Sequence, residues 1–298
     1  MDTEDTGASS SVSTATDVDR LVESPAVRGF TVFVLGTLGF SWSLWALLVA
    51  DLVPPSATTP LILVGGFGPL VGALLTLRVQ GASIRAWLRS NLRLRLPVRW
   101  YLVALLLPPL LVGLAGLVHA GVFGARLDLG SLPPAWVYPA GLVLVFFVGG
   151  GQEELGWRAF AVPVLQERFS ALLTSLLVGV VWVCWHLPLF VVPGSSQAGI
   201  PLAPYAVAVV SVSVVFTWLY NSTASVLPAM LLHGGINPIA QYFPTGGADA
   251  IRTVEGYGSY ALVVLGLALV VLSVSGAASF ADERVRLSAL TGSSETAD

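Results

Sequence analysis

Eight apolar runs, at about 29–50, 61–79, 100–119, 136–165, 170–192, 203–220, 225–243 and 257–280, occupy most of this sequence. Each is long enough to cross a hydrocarbon core at a helical rise of ~1.5 Å per residue, some only narrowly. Charged residues make up 10% of the chain and hydrophobic ones 55%, whereas water-soluble domains are about a quarter charged. A chain so poor in polar groups cannot cover a water-facing surface, so its exterior must face lipid. The expected fold is all-α: a polytopic transmembrane helical bundle of about eight spans, multi-pass in the cell membrane. Turn signals such as Pro54-Pro55, Pro133-Pro134, Pro193-Gly194, Asn221-Ser222 and Gly246-Gly247 separate the runs. Pro108-Pro109 and Pro228 fall inside runs and predict kinks, which membrane bundles tolerate.

The ends are polar. Residues 1–28 are Ser/Thr/Asp-rich and acidic and read as a disordered tail; no basic residue precedes an apolar core near Met1, so they do not read as a signal peptide. Residues 29–281 form the bundle and 282–298 a second polar tail. The single cysteine, Cys184, excludes an internal disulfide and a cysteine-based zinc cluster. All fourteen basic residues are arginine. Arg85, Arg89, Arg93, Arg95 and Arg99 crowd the 80–99 segment, which the positive-inside rule places in the cytoplasm; it reads as a topology determinant with no catalytic role. Nucleic acid is not expected as a partner.

Between Tyr101 and Ala281 there are ten charged residues, and seven fall in predicted connections. The other three, Glu153, Glu154 and Arg158, lie in an apolar stretch, as do His186 and His233. An ionised group at mid-membrane costs at least ~2.5–3.5 kcal/mol and is rarely idle. Glu154 and Arg158 are four apart, on one helical face, and can neutralise each other. Glu153 is rotated about 100° away and has no intrahelical partner. His233 and Asn237, also four apart, share a face. If Arg168–Ser170 turns a helical hairpin, Glu153 and His186 lie symmetrically about it, each ~25 Å along its helix. Antiparallel packing would then set them at one depth, and the Asn221-Ser222 turn would bring His233 and Asn237 to the same layer. Taken singly, Glu154–Arg158 reads as a helix–helix lock, His186 as a core histidine and His233 as a polar tie in a small-residue interface. As a set they point to function.

Glu153-Glu154 with Arg158 (EExxxR), Trp182 with His186 (aromatic-xxx-His) and His233 with Asn237 (HxxxN), in that order, resemble the CPBP family. It comprises the type 2 CAAX prenyl proteases and the related bacteriocin-processing and immunity-type membrane proteins. The motifs cover about 150–240, inside an expected protease core of about 136–243. Trp182 stands where the family usually has Phe. The resemblance implies an intramembrane endopeptidase that cuts near the C-terminus of its substrates, which would be peptides or lipidated proteins associated with membrane lipid. It implies that Glu153 and His186 activate water, that His233 and Asn237 stabilise the oxyanion, and that Glu154 and Arg158 support the Glu153 face. A histidine beside a carboxylate in low dielectric suits general-base work, and donors aimed at a developing O⁻ count for most where water is scarce. No cofactor is required by this scheme. If zinc takes part, its ligands would be Glu153, His186 and His233, a legitimate His₂Glu set.

Two other classes remain open. A proton-coupled transporter would also hold protonatable Glu and His in a midplane cavity, but would show an inverted repeat. A non-catalytic immunity-type protein would bind a partner in the membrane. Counting spans from a cytoplasmic 80–99 loop sets the catalytic layer nearer the outer face, whereas the resemblance implies a cavity open to the cytosol. A break at Gly149-Gly150-Gly151, making 136–168 other than a simple crossing, would reconcile the two.

Overall fold

The computed structural model describes residues 24–130 and 132–291 and, among them, contains helices and turns with no strand. The predicted disorder of the N-terminal tail falls on residues 1–23, outside the described residues. The first helix, α1 (Pro25–Val49), opens four residues before the predicted boundary at 29. Ser24 caps it by accepting from the Val27 amide, with Pro25 at the first position, where its missing N–H costs nothing.

The 61–79 run is two helices, α2 (Thr58–Gly65) and α3 (Gly68–Val79), bent by 43° where they meet. Gly72 lets α3 press against α1: a Cβ there would sit 2.6 Å from the Phe33 carbonyl oxygen. The arginine-rich segment contains α4 (Ile84–Asn91), capped by Ser83. Next comes α5 (Val98–Phe123), with Pro108 and Pro109 in its interior. The 136–165 run is α6 (Val137–Phe147), a break, and then a 3₁₀ turn (Gly151–Glu153), an α turn (Glu154–Gly156), a π turn (Trp157–Ala161) and a last α turn (Val162–Leu165). A hairpin leads to α7 (Ala171–His186), capped by Ser170 and continued as a 3₁₀ turn (Leu187–Val191). Three further helices complete the bundle: α8 (Leu202–Thr223), α9 (Leu227–Ile239) and α10 (Val254–Ser275).

Five of these helices, α1, α5, α7 with its 3₁₀ extension, α8 and α10, are each long and apolar enough to cross a membrane, and the bent α2–α3 pair makes a sixth. The remaining two apolar runs, 136–165 and 225–243, are interrupted helices, an arrangement compatible with about eight passes. The outward faces are apolar, with Leu35, Leu106, Leu117, Val143, Leu269 and Val274 exposed. This is a multi-pass membrane protein whose surface suits lipid.

The most enclosed span is α8, packed between α7 and α10. Its Phe216 and Tyr220 belong to one buried core with Phe33, Trp157, Phe160 and Trp185. One end of the bundle is tied by polar contacts. Gln166 and Asn221 bond to each other, Tyr220 donates to Asn91 Oδ1 at 2.6 Å, and Ser225 donates to the Asn91 and Arg93 carbonyls. The polar C-terminal stretch docks at this end as α11 (Leu287–Thr291), with Ser288 bonded to Glu167 and Arg284 donating to the Phe169 carbonyl.

Candidate active site

The site begins at the break after α6. Val148 is extended, and Gly149 and Gly150 take φ of 130° and 153°, conformations that L side chains rarely adopt. Gln152 holds this turn. Its Oε1 accepts from the Gly149 and Gly150 amides, both at 3.0 Å, while its Nε2 donates to the Gly66 carbonyl at 3.3 Å. The backbone groups left open by the broken helix are thereby satisfied, as burial in an apolar medium requires. A Cβ on Gly150 would lie 2.6 Å from His233 Nε2 and 2.9 Å from Asn237 Nδ2, so the bare glycine lets the turn approach both.

Immediately afterwards come the two glutamates, both buried. Glu153 Oε2 accepts from the Trp182 indole N–H at 3.2 Å. Glu154 pairs with Arg158 at 3.1 Å, as their spacing predicts, and its Oε1 also accepts from His233 Nδ1 at 2.7 Å. The Arg158 guanidinium lies between the rings of Trp182 (4.5 Å) and Phe216 (4.4 Å) and donates to Ser213 at 3.3 Å. Glu154 is therefore the centre of an Arg158–Glu154–His233 relay across two helices, where the sequence offered only an intrahelical pair. Arg158 sits in the π turn, a device common at functional sites.

At the end of α7, His186 Nδ1 lies 2.9 Å from the Trp182 carbonyl oxygen. A carbonyl only accepts, so Nδ1 carries the hydrogen and Nε2 presents a lone pair. Asn237, one turn beyond His233 on α9, donates from Nδ2 to the Gly149 carbonyl at 2.9 Å.

These elements enclose a cavity of about 250 Å³ whose walls include Glu153, Trp182, His186, His233, Asn237 and Gly149. All four residues expected to carry the chemistry reach it, from three separate stretches of chain. Glu154 and Arg158 lie behind the wall. The sequence reading missed Gln152 and the two contacts of Trp182. The only signal for Gln152 was an uncharged polar residue directly after three glycines in an apolar run. The third histidine, His119, is elsewhere, bonded through Nδ1 to Thr245 Oγ1 at 2.7 Å.

A zinc ion would need Glu153, His186 and His233 to converge on one point. Among the described residues, no group of three His, Cys, Asp or Glu side chains is placed to hold a metal. Both imidazoles commit Nδ1 to protein acceptors, which leaves Nε2 of each to face the cavity that Glu153 also lines.

Residues 134–239, which carry every one of these groups, match the family model described as type II CAAX prenyl endopeptidase Rce1-like. This segment is a CPBP-family domain. A CAAX prenyl protease 2 of Methanococcus maripaludis is 33% identical to the chain over 92 residues, which are 28% of this chain and 34% of that protein. The match thus spans about a third of the relative's length. Within the CPBP domain lie the broken helix, the hairpin and α9, while Trp45 of α1, Ile62 and Leu63 of α2, Val112 of α5 and Tyr257 of α10 complete the cavity wall from outside it.

Proposed function

We propose that this protein is an intramembrane endopeptidase that hydrolyses a peptide bond of membrane-associated substrates. The reading is carried by one observation: Glu153, His186, His233 and Asn237, drawn from three segments, line a single cavity with both imidazoles tethered through Nδ1.

The chemistry follows from those tethers. A water in the cavity donates one hydrogen bond to the lone pair of His186 Nε2 and its other proton to the Glu153 carboxylate. Its oxygen attacks the scissile carbonyl carbon, and the carbonyl π electrons move onto oxygen. Asn237 keeps one amide hydrogen on Gly149 and offers the second to that oxyanion. His233, doubly protonated against the Glu154 carboxylate, offers Nε2–H. Before attack Glu153 and Glu154 balance Arg158 and His233, and after it the oxyanion takes the place of the protonated Glu153, so the cluster carries no net charge at either stage, where a net charge would be costly. When the tetrahedral adduct collapses, the C–N bond breaks and Glu153 returns its proton to the leaving amine, acting as base and then acid. No step is routed through a metal. The substrates this supports are peptides or lipidated proteins, admitted to a cavity with apolar walls at Val209, Val212, Ile251 and Phe243.

The test is a panel of lipidated and unlipidated peptides incubated with purified protein and analysed by mass spectrometry. Wild type is expected to release defined fragments, and Glu153→Ala, His186→Ala and His233→Ala to release none while still inserting and folding. Full cleavage by any one variant removes that residue from the mechanism; no cleavage of any peptide by wild type removes the reading.

A further inference from the structure

The bundle has two chemically unlike ends, and the cavity belongs to one of them. At the first end the polar contacts of Asn91, Gln166, Asn221 and Arg284 gather α4, the hairpin before α7, the end of α8 and α11. Gly29 at the start of α1 faces Gln80 after α3 there. Thirteen of the fourteen arginines lie in the described residues, and ten of them are at this end: Arg28, Arg78, the five of 85–99, Arg168, Arg284 and Arg286. Arg158 is interior. The opposite end, where Asp128 accompanies Pro244 and Arg252 donates to the Ala198 carbonyl, has only Arg126 and Arg252.

The cavity wall takes Ser196, Gln197 and Ile200 from the 192–201 connection and Ala240, Phe243 and Ile251 from the 240–253 connection, both at the arginine-poor end. No wall residue comes from α4, the 166–170 turn, the end of α8 or the chain after α10. A bias of ten to two in arginine fixes which end stays in the cytoplasm, because short basic loops resist translocation.

We propose that the cavity opens on the face of the membrane opposite the cytoplasm. Its substrate is then a peptide segment presented at the outer surface by a chain already inserted in or tethered to the membrane, not the terminus of a cytoplasmic protein. The substrate class rests on the proteolytic reading; the sidedness does not. It also runs against the cytosol-open cavity that the family resemblance implies.

The experiment uses the full chain with Cys184→Ser and one new cysteine, either Ser196→Cys at the exposed mouth or Leu94→Cys in the arginine-rich segment, where Leu94 is 74% exposed. Intact cells are treated with a membrane-impermeant maleimide before and after permeabilisation. Ser196→Cys is expected to label in intact cells, and Leu94→Cys only after permeabilisation. Failure of Ser196→Cys to label in intact cells, or labelling of Leu94→Cys there, overturns the proposal. In a second arm, a peptide cleaved by the detergent-purified enzyme is added outside intact cells. Cleavage by wild type and not by Glu153→Ala supports the outer-face substrate, and cleavage in detergent alone overturns it. Absence of cleavage in detergent counts against the proteolytic reading, while the labelling result still decides the side.

Discussion

Glu154 holds His233 by a 2.7 Å contact between carboxylate and Nδ1, although the two are separated by 79 residues and lie on different helices. The same carboxylate carries the Arg158 ion pair. One buried group thus fixes a histidine ring and neutralises an interior arginine. Neither function replaces the other.

Replacing this carboxylate separates them. Glu154→Gln preserves the volume but removes the negative charge that faces His233, so the proposed imidazolium loses its counterion and its Nε2–H is no longer favoured. A carboxylate that orients a catalytic histidine and stabilises its imidazolium is worth several decades in known hydrolases. We expect kcat to fall at least about tenfold with KM little changed and the protein still folded in detergent. Unchanged kcat would show that Glu154 does not orient His233.

Arg158→Ala is a stability test. It leaves the buried Glu154 carboxylate with His233 as its remaining charged partner, a loss of up to about 3–5 kcal/mol for a broken interior pair, and empties the space between Trp182 and Phe216. A markedly lower thermal midpoint in detergent is expected. A midpoint equal to wild type would mean that the pair is solvated rather than enclosed.

Asn237 and Gln152 act in series. Asn237→Ala removes the proposed oxyanion donor and should lower kcat by about one to three decades, on the order of what such donors supply elsewhere. Gln152→Ala removes the acceptor that holds Gly149 and Gly150, and Gly149 in turn receives Asn237. Its rate loss should therefore shrink when measured in an Asn237→Ala background, as coupled sites require. Fully additive losses in the double variant would place Gln152 outside that chain of contacts.

Trp182 differs from the phenylalanine that CPBP relatives usually carry, and the difference has a visible consequence. Its indole N–H reaches Glu153 at 3.2 Å while its backbone carbonyl fixes His186. Trp182→Phe keeps the carbonyl and the aromatic face for Arg158 but loses the donor to Glu153. The expected result is an active enzyme with kcat lowered by about tenfold to a hundredfold, the scale of one hydrogen bond to a charged group. Complete inactivation would indicate that the indole does more than hold the carboxylate.

Chelation addresses the ligand set. Because Glu153, His186 and His233 do not converge as a metal site, peptide cleavage is expected to survive prolonged incubation with a strong chelator. Added zinc should not raise it. Loss of cleavage on chelation, restored by zinc, would require the three side chains to rearrange around an ion.

Much of this site was legible because charge in an apolar run is conspicuous. Glu153, Glu154, Arg158, His186 and His233 could be named without coordinates, and the i, i+4 spacing gave the Glu154–Arg158 pair correctly. The symmetry of Glu153 and His186 about the 168–170 turn expected them at one depth, and both reach the same cavity. Gln152 was harder to see, since an uncharged amide is not costly enough in a membrane to stand out. The role of Glu154 was harder still, because its second partner is on a helix 79 positions later.

The order of residues along the chain settled what depends on local energetics: that the runs are helices, that lipid covers them, and which polar groups are too costly to be idle. Folding in three dimensions decided what depends on meeting across distance. It bent the 61–79 run, broke 136–165 at its glycines, turned Glu154 toward His233, and put the cavity at the arginine-poor end. Periodicity fixes where a side chain sits around its own helix axis. Which neighbour that face finds is set by how eight apolar segments pack together, and no single segment contains that information.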